Sequence, residues 1–412
     1  MKKILSYIFL FSPWLLMGQN FSELNKFSTD STTKENFVFF DATGDISSNT
    51  IQTDLMKKFL FGGQISQTMK QKCISNLSTD NTLGISGNAR FTFATNLSKT
   101  FSKNLFLTLA YQQNSFNDSK LNKEMADLIL NGNTAFLGES VPLNQVNLDM
   151  LNYSTISIGF LKKYENEFQK HSFGFSLGYA FGFSNFSTHI NSGQLSFAND
   201  GSSIGLNGNY NIAFSDTSTN KFLKGNGFTT SFFYEFIKNK KYALSCSIEN
   251  LGLITWNSNS FSAQKNISLL YSGIGINDIT NIDNNLFNNT IDSTLNSIRY
   301  PKKTSSYQTK TPFTISLAGK IIIFKQFSLM GSIWKQVYTN QNIGYQLKPI
   351  YTLPFFPTDI APYIYSNGYS PFDIGLEIIF RNIKNMIIKT DIHSLQITSH
   401  TIGGSFVIGY KF

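Results

Sequence analysis

The sequence predicts an all-β fold: a transmembrane antiparallel β-barrel of about fourteen strands (roughly 12 to 16), with one short loop helix. Three observations predict it. The first is two-residue alternation over unusually long runs. In HSFGFSLGYAFGF, residues 171–183, the apolar positions are Phe173, Phe175, Leu177, Tyr179, Phe181 and Phe183, and every position between them is Gly, Ser or Ala. Successive side chains of a strand point to opposite faces, so this segment has one apolar face and one small, partly polar face. As a helix it would scatter its aromatics around the axis and carry glycines costing about 1 kcal/mol each.

The second observation is composition. Of 412 residues, 15% are aromatic, including 40 Phe, and only 14% are charged, against a usual ~25%. Asn, Ser and Thr supply the polar half. This balance excludes a disordered chain and a helical membrane protein, and suits strands that alternate apolar with uncharged polar residues. The net charge of +9 is modest for the length. Pairs such as Lys57-Lys58, Lys162-Lys163 and Lys240-Lys241 are scattered near strands and turns, so no nucleic-acid partner is expected.

The third is an export signal. Residues 1–18 carry Lys2 and Lys3, an apolar run from Ile4 to Leu16, and a small residue at Gly18, the layout of a cleavable signal peptide. Beyond residue 20 no run approaches the ~18 apolar residues of a spanning helix. The expected location is the cell outer membrane, with its lipid as the first partner. Cys73 and Cys246 have no metal-binding spacing; a disulfide between them is permitted outside the cytoplasm but not established by sequence.

Taken in order, residues 19–48 look irregular and are a possible plug, and residues 49–412 form the barrel. The expected strands are 51–65, 83–97, 104–112, 153–162, 171–183, 203–215, 227–237, 241–254, 264–276, 312–324, 325–338, 371–381, 384–396 and 402–412. The first is interrupted by Lys57, and the hairpin-like stretch 187–197 is a candidate pair of rim strands. Thirteen residues span about 43 Å, or ~33 Å once tilted, enough for the apolar band of an outer-membrane barrel and both interfaces. Strands of soluble sandwiches are shorter, and their outer faces carry charge. The aromatic face therefore meets lipid. With Phe412 at the periplasmic rim, the connections 113–152, 184–202, 277–311 and 340–370 fall outside, and short turns fall inside. The tight turn at 238–241 breaks this rule. In DSKLNKEMADLILNG, residues 118–132, Leu121, Met125, Leu128 and Ile129 recur at helical spacing, with Asp118 or Ser119 as cap and Asn131-Gly132 at the end.

The run ILNGNTAFLGESVPLN (129–144), a strand ending in Gly159-Phe160 with a basic turn at 162–163, the Gly-rich strand 171–183, ENLGLITWNSNS (249–260) and a terminal Phe412 occur in that order. This order resembles an uncharacterised family of Bacteroidetes outer-membrane β-barrels, a domain of unknown function. It is also distantly similar to barrels that accompany type IX secretion and to fatty-acid-transporter-like barrels. The resemblance implies the fold and the location and supplies no functional residues.

No catalytic, cofactor-binding or metal site is expected. His171, His189, His393 and His400 form no paired metal motif. Ser172 points inward and His171 outward, so they do not form a hydrolase pair. The charged residues on the lumen face are Arg90, Glu235, Glu249, Asp373, Glu377, Lys389 and Asp391. On the lipid face a mid-depth Lys or Arg would cost roughly 2–4 kcal/mol. Asp373 and Glu377 lie on the strand beside Lys389 and Asp391, which permits cross-strand ion pairs. Such residues either stiffen the barrel or line a solute path. The aromatic, proline-rich stretch 351–372 is expected to be a lid or a partner-facing loop. The functional expectation is a monomeric pore or transporter for a small or hydrophobic solute. The alternative is a docking barrel for a type IX secretion or other cell-surface complex; a membrane enzyme is the weakest reading.

Overall fold

The computed structural model describes residues 36–97, 104–218, 221–272, 304–383, 385–393 and 399–412. The expected signal peptide, residues 19–35 of the expected plug and the asparagine-rich stretch 277–293 lie outside them. Alternating sequence produces the strands: β1 (Asn36–Ser48), β2 (Asp80–Asn96), β3 (Leu105–Asn122), β4 (Ser140–Pro142), β5 (Val146–Glu165) and β6 (Gln169–Phe197). β7 (Ile204–Phe214), β8 (Gly225–Lys238), β9 (Tyr242–Trp256), β10 (Phe261–Tyr271), β11 (Gln308–Lys310) and β12 (Phe313–Phe324) follow. The last six are β13 (Phe327–Val337), β14 (Gly344–Thr352), β15 (Thr358–Ser366), β16 (Asp373–Ile383), β17 (Met386–His393) and β18 (Thr401–Lys411).

Fourteen of these close a ring through antiparallel neighbours, in the order β1, β2, β3, β5, β6, β8, β9, then β12 through β18. The seam is the pairing of β1 with β18, from Phe37↔Lys411 to Ser47↔Thr401. The chain is thus a transmembrane antiparallel β-barrel. One end of the cylinder carries short turns; the other carries the long connections. β7 and β10 stand above the ring, extending the upper half of β6 from Phe186 to Phe197. Among the described residues no helix is long and apolar enough to cross a membrane.

The strand total matches the expectation; its membership does not. Residues 51–65 are not a strand but contain α1 (Thr53–Phe61), followed by α2 (Gln67–Asn76). Leu55 and Met56 are neighbours in sequence and both buried, which the alternation of a strand does not give, and Lys57 already interrupted the apolar face. Residues 203–215 and 264–276 correspond to β7 and β10, outside the ring. Their places are taken by β1, β14 and β15. The expected irregular plug 19–48 is therefore a wall strand from Asn36, and the expected loop 340–370 contains two wall strands. Prolines disguised those two. The β14–β15 ladder is interrupted between Leu347↔Ile364 and Tyr351↔Ile360, where Pro349 and Pro362 have no N–H to give. With this membership the 238–241 turn lies at the turn end with the other short connections, and the earlier exception disappears. The stretch 187–197 is not a separate pair but the continuation of β6.

Among the described residues three short α-helices replace the single one expected. The third, α3 (Lys123–Asn131), is capped by Asn122, whose side chain accepts from Met125 N at 2.8 Å, while Asp118 and Ser119 remain in β3. Gly132, at φ +79°, ends it in the left-handed region that glycine tolerates.

The outer surface explains the composition. Phe91, Leu109, Ile158, Leu177, Phe228 and Leu244 are among many large apolar side chains exposed on the outside of the ring. A water-soluble protein rarely exposes so continuous an apolar surface; a hydrocarbon solvent favours it. The alternate positions turn inward: Ser172 and Ala180 are fully buried beneath that band.

Candidate functional site

The lumen is the candidate site, and its residues come from the inward parity of each strand. On β1 the inward set is Phe37, Phe39, Asp41, Thr43, Asp45 and Ser47. Phe37 and Phe39 pack with Ala94, Phe106, Leu161 and Phe233 into an apolar cluster at the turn end. The Lys163 ammonium lies over the Phe106 ring, 5.2 Å from its centroid.

Above this floor lies a polar belt. Arg90 on β2 reaches Glu249 on β9 at 3.6 Å. The strands bearing them are five steps apart around the ring, so the pair crosses the lumen rather than joining neighbours. Asn88 donates to the Asn114 side-chain oxygen at 2.8 Å, and Gln112 donates to the same oxygen at 2.8 Å. Ser247 and Ser316 hydroxyls are 2.7 Å apart. Glu235 is buried and stands opposite Ser172, which stands opposite Lys163 in the adjoining ladder.

A second apolar cluster forms a collar above the belt: Leu151, Tyr153, Ala180, Ile254 and Trp256, with Phe116 and Tyr307 packed against it. Trp256 is present because of a bulge. Thr230 pairs with Leu251 and Phe232 with Ile248, so Glu249 and Asn250 together oppose Ser231. Asn250 adopts φ +62°, and its N–H donates to the Ser231 hydroxyl. Glu249 and Trp256 are seven residues apart and would face opposite sides of a regular strand. The extra residue restores them to one side. Trp256 donates its indole N–H to Thr309 at 2.9 Å. A second bulge, at Phe183 on β6, brings Asn185 inward, where it donates to the Tyr307 hydroxyl at 2.8 Å. Burial pushes the Tyr307 phenol up to about 12, only partly offset by that bond.

The wall of β14 to β18 carries the charge. Glu377 lies between Lys348, at 2.9 Å, and Lys389, at 3.0 Å. His393 lies between Asp45, at 2.5 Å, and Asp391, at 3.2 Å, and the Tyr363 hydroxyl donates to Asp391. Asp373 is fully buried and accepts from Ser399. The seven lumen candidates thus fall into separate groups: Arg90 with Glu249, Glu377 with Lys389 and opposite Asp391, Asp373 with Ser399, and Glu235 opposite Ser172. Lys348, Tyr363 and Asp45 were missed, because their strands were hidden in the expected loop and plug. Trp256 was missed because alternation alone points it at lipid; the Asn-Leu-Gly after Glu249 was the available signal for a bulge.

Two loops fold across the mouth at the loop end. The β13–β14 connection and the β15–β16 connection are joined by Asn342 N–H donating to Gly368 O at 2.9 Å and by Gln341 donating to Asn367 O. They latch onto the far wall at Asp118 of β3. That carboxylate accepts from Asn340 N at 2.7 Å, from Asn340 Nδ2 at 3.0 Å and from the Tyr369 hydroxyl at 2.8 Å. The Tyr369 ring lies against Gly84, where a Cβ would come within 2.3 Å of it. Burial, with the Asp118 charge beside it, holds the Tyr369 phenol well above its usual range.

The remaining histidines lie outside these groups. His171 is hydrogen-bonded to the Tyr234 hydroxyl at 2.9 Å on the outer face. His189, above the ring, meets Asp149 at 2.9 Å. Burial lowers His400 and favours its neutral form. Cys73 and Cys246 are free thiols. The stretch 351–372, expected as a lid or partner-facing loop, is divided: 353–357 is a turn at the turn end with Phe355 and Phe356 exposed, and only 367–372 belongs to the mouth.

The model of the family of unknown function DUF5723 matches residues 29–383. No curated protein matches the sequence. Solved structures similar to the chain include a mutant of the TodX monoaromatic hydrocarbon channel, at 6% identity and TM-score 0.44, covering 94% of this chain and 91% of that one. A Pseudomonas aeruginosa FadL homologue is 7% identical at TM-score 0.42, covering 92% and 90%. The Pseudomonas putida toluene transporter TodX is 7% identical at TM-score 0.42, covering 97% and 93%.

Proposed function

The chain belongs to the DUF5723 family of unknown function, and we propose that it is an outer-membrane barrel conducting a small, largely apolar solute along its lumen. The observation that carries this reading is the apolar floor and apolar collar inside the cylinder, with a polar belt between them. A water-filled pore needs polar walls throughout. Here Phe37, Phe106 and Phe233 below, and Leu151, Ile254 and Trp256 above, give a greasy body two surfaces to contact. The loop end faces outward, and the two mouth loops are the first barrier on the path.

Reconstitution tests this. Purified protein in planar bilayers should show little steady ion conductance, while proteoliposomes should take up a small apolar fluorophore faster than empty liposomes. A steady ohmic conductance without apolar uptake would replace this reading with an aqueous pore.

A docking barrel for a type IX secretion or other surface complex is the second reading. The lumen-crossing pair Arg90–Glu249 and the latched mouth favour it, since a structural barrel gains from a filled interior. Stoichiometric co-purification of a secretion component from mildly solubilised membranes would support it over the stand-alone transporter.

A further inference from the structure

One row of inward positions runs level across six neighbouring wall strands. Asn88 of β2 pairs with Asn114 of β3, Asn114 with Tyr153 of β5, and Tyr153 with Gly182 of β6. Gly182 pairs with Gly225 of β8, and Gly225 with Trp256 of β9. The two glycines make a shelf for the indole: a Cβ at either would lie 2.8 Å from the Trp256 ring. One half of the row is therefore an aromatic surface and the other half is amide and phenol.

The polar half is incomplete. Asn114 and Tyr153 have no exposure, and Asn88 is nine-tenths buried. Yet the Tyr153 hydroxyl, the Asn114 side-chain nitrogen and the Asn88 side-chain oxygen have no hydrogen-bond partner. Buried polar groups are normally paired, and three orphans in adjoining registers are a concentrated exception. Their chemistry is specific. Tyr153 and Asn114 offer hydrogens, and Asn88 offers a lone pair. A carboxylate would satisfy the donors but repel the Asn88 oxygen. An ammonium would satisfy Asn88 but not the Asn114 N–H. A hydroxyl accepts from the first two and donates to the third. Exchanging the amide orientations together leaves both a donor and an acceptor in the row, so the match to a hydroxyl persists.

We propose that this row is a selective subsite of the lumen for an apolar molecule bearing a hydroxyl. The hydroxyl sits among Asn88, Asn114 and Tyr153, and the body lies against Trp256, Leu151 and Ile254. The row is closed in this structure, so occupancy displaces the Tyr153 and Trp256 rings toward Phe116 and Tyr307, which are only partly buried. The inference rests on the transport reading and names the solute class within it.

Trp256 supplies the readout. In a background with Trp14→Phe and Trp334→Phe, its emission is titrated in detergent with 4-ethylphenol and with ethylbenzene, which differ by one hydroxyl. The full chain is expected to bind 4-ethylphenol ~10-fold more tightly, the scale of a few hydrogen bonds net of solvation. Tyr153→Phe, which keeps the ring, and Asn114→Ala should each cut that ratio severalfold and leave the ethylbenzene affinity in place. Equal affinities in the unsubstituted chain, or a ratio that survives both substitutions, would overturn the subsite and leave the apolar-solute reading standing. If neither compound binds, the subsite and that reading fall together.

Discussion

At the scale of single residues, Glu377 decides the most. It is almost fully buried and holds Lys348 and Lys389 within 3.0 Å. Removing one partner of a buried ionic group leaves uncompensated charge and costs about 3–5 kcal/mol, whereas replacing the whole group with apolar residues is often neutral. Glu377→Gln should therefore lower the temperature at which the folded band converts on a gel, and Glu377→Leu with Lys348→Met and Lys389→Met should recover most of the loss. If the single substitution leaves that temperature unchanged, the triad contributes nothing to stability. Asp391 and Lys389 were legible as inward residues because alternation fixes parity without any knowledge of neighbours. Lys348 was not, since Pro349 beside it argues against a strand. The pairing of Arg90 with Glu249 was also hidden, because it depends on how far the cylinder carries two distant strands toward each other.

At the scale of elements, the bulges and the mouth loops carry testable content. Deleting Asn250 should remove the extra residue and turn Trp256 outward. With Trp14 and Trp334 replaced by Phe, brominated acyl chains, which quench only lipid-facing indoles, should then quench emission in the deletion variant and not in the chain that keeps Asn250. Equal quenching in both would mean that the bulge does not set the direction of Trp256. For the latch, Asp118→Ala should raise hydrogen exchange at Asn342 and Gly368 without altering exchange in β5 and β6. The Tyr369 side of the latch has a pH limit. Its phenol is held protonated above the ordinary value, so its contribution is complete below about pH 10 and is lost as pH rises beyond that, when the unfolded chain ionises first. Exchange at Gly368 should accordingly be flat through neutral pH after correction for the intrinsic rate, and rise in alkali. The long regular strands were legible because their alternation runs past ten residues. The helix at 53–61 and the strands at 36–48, 344–352 and 358–366 were not: each is short, or carries proline or mixed parity, and tertiary packing decides it.

At the scale of the whole molecule, the solvent of the outer face is the controlling fact. Ile158→Lys places an ammonium in the middle of the apolar belt and should cost roughly 2–4 kcal/mol, read as a lower denaturant midpoint in lipid vesicles, while Ser157→Lys on the other face should cost less. Equal costs would remove the distinction between the two faces. The total of fourteen strands was legible from the sequence, although three of the segments counted were replaced by three others. Evenness survived the exchange because β7 and β10 left the ring as a pair and β14 and β15 entered as one, while β1 replaced the misassigned 51–65.

The seam between β1 and β18 has a consequence for biogenesis. The first wall strand waits with an unsatisfied ribbon of amides and carbonyls until the final eleven-residue strand is delivered to it. Every product that lacks β18 is a sheet with two unpaired margins, so closure of the ring depends on that one strand. A nascent chain stalled before residue 401 would leave Asn36–Ser48 without its β18 partner and be an aggregation hazard rather than a smaller barrel.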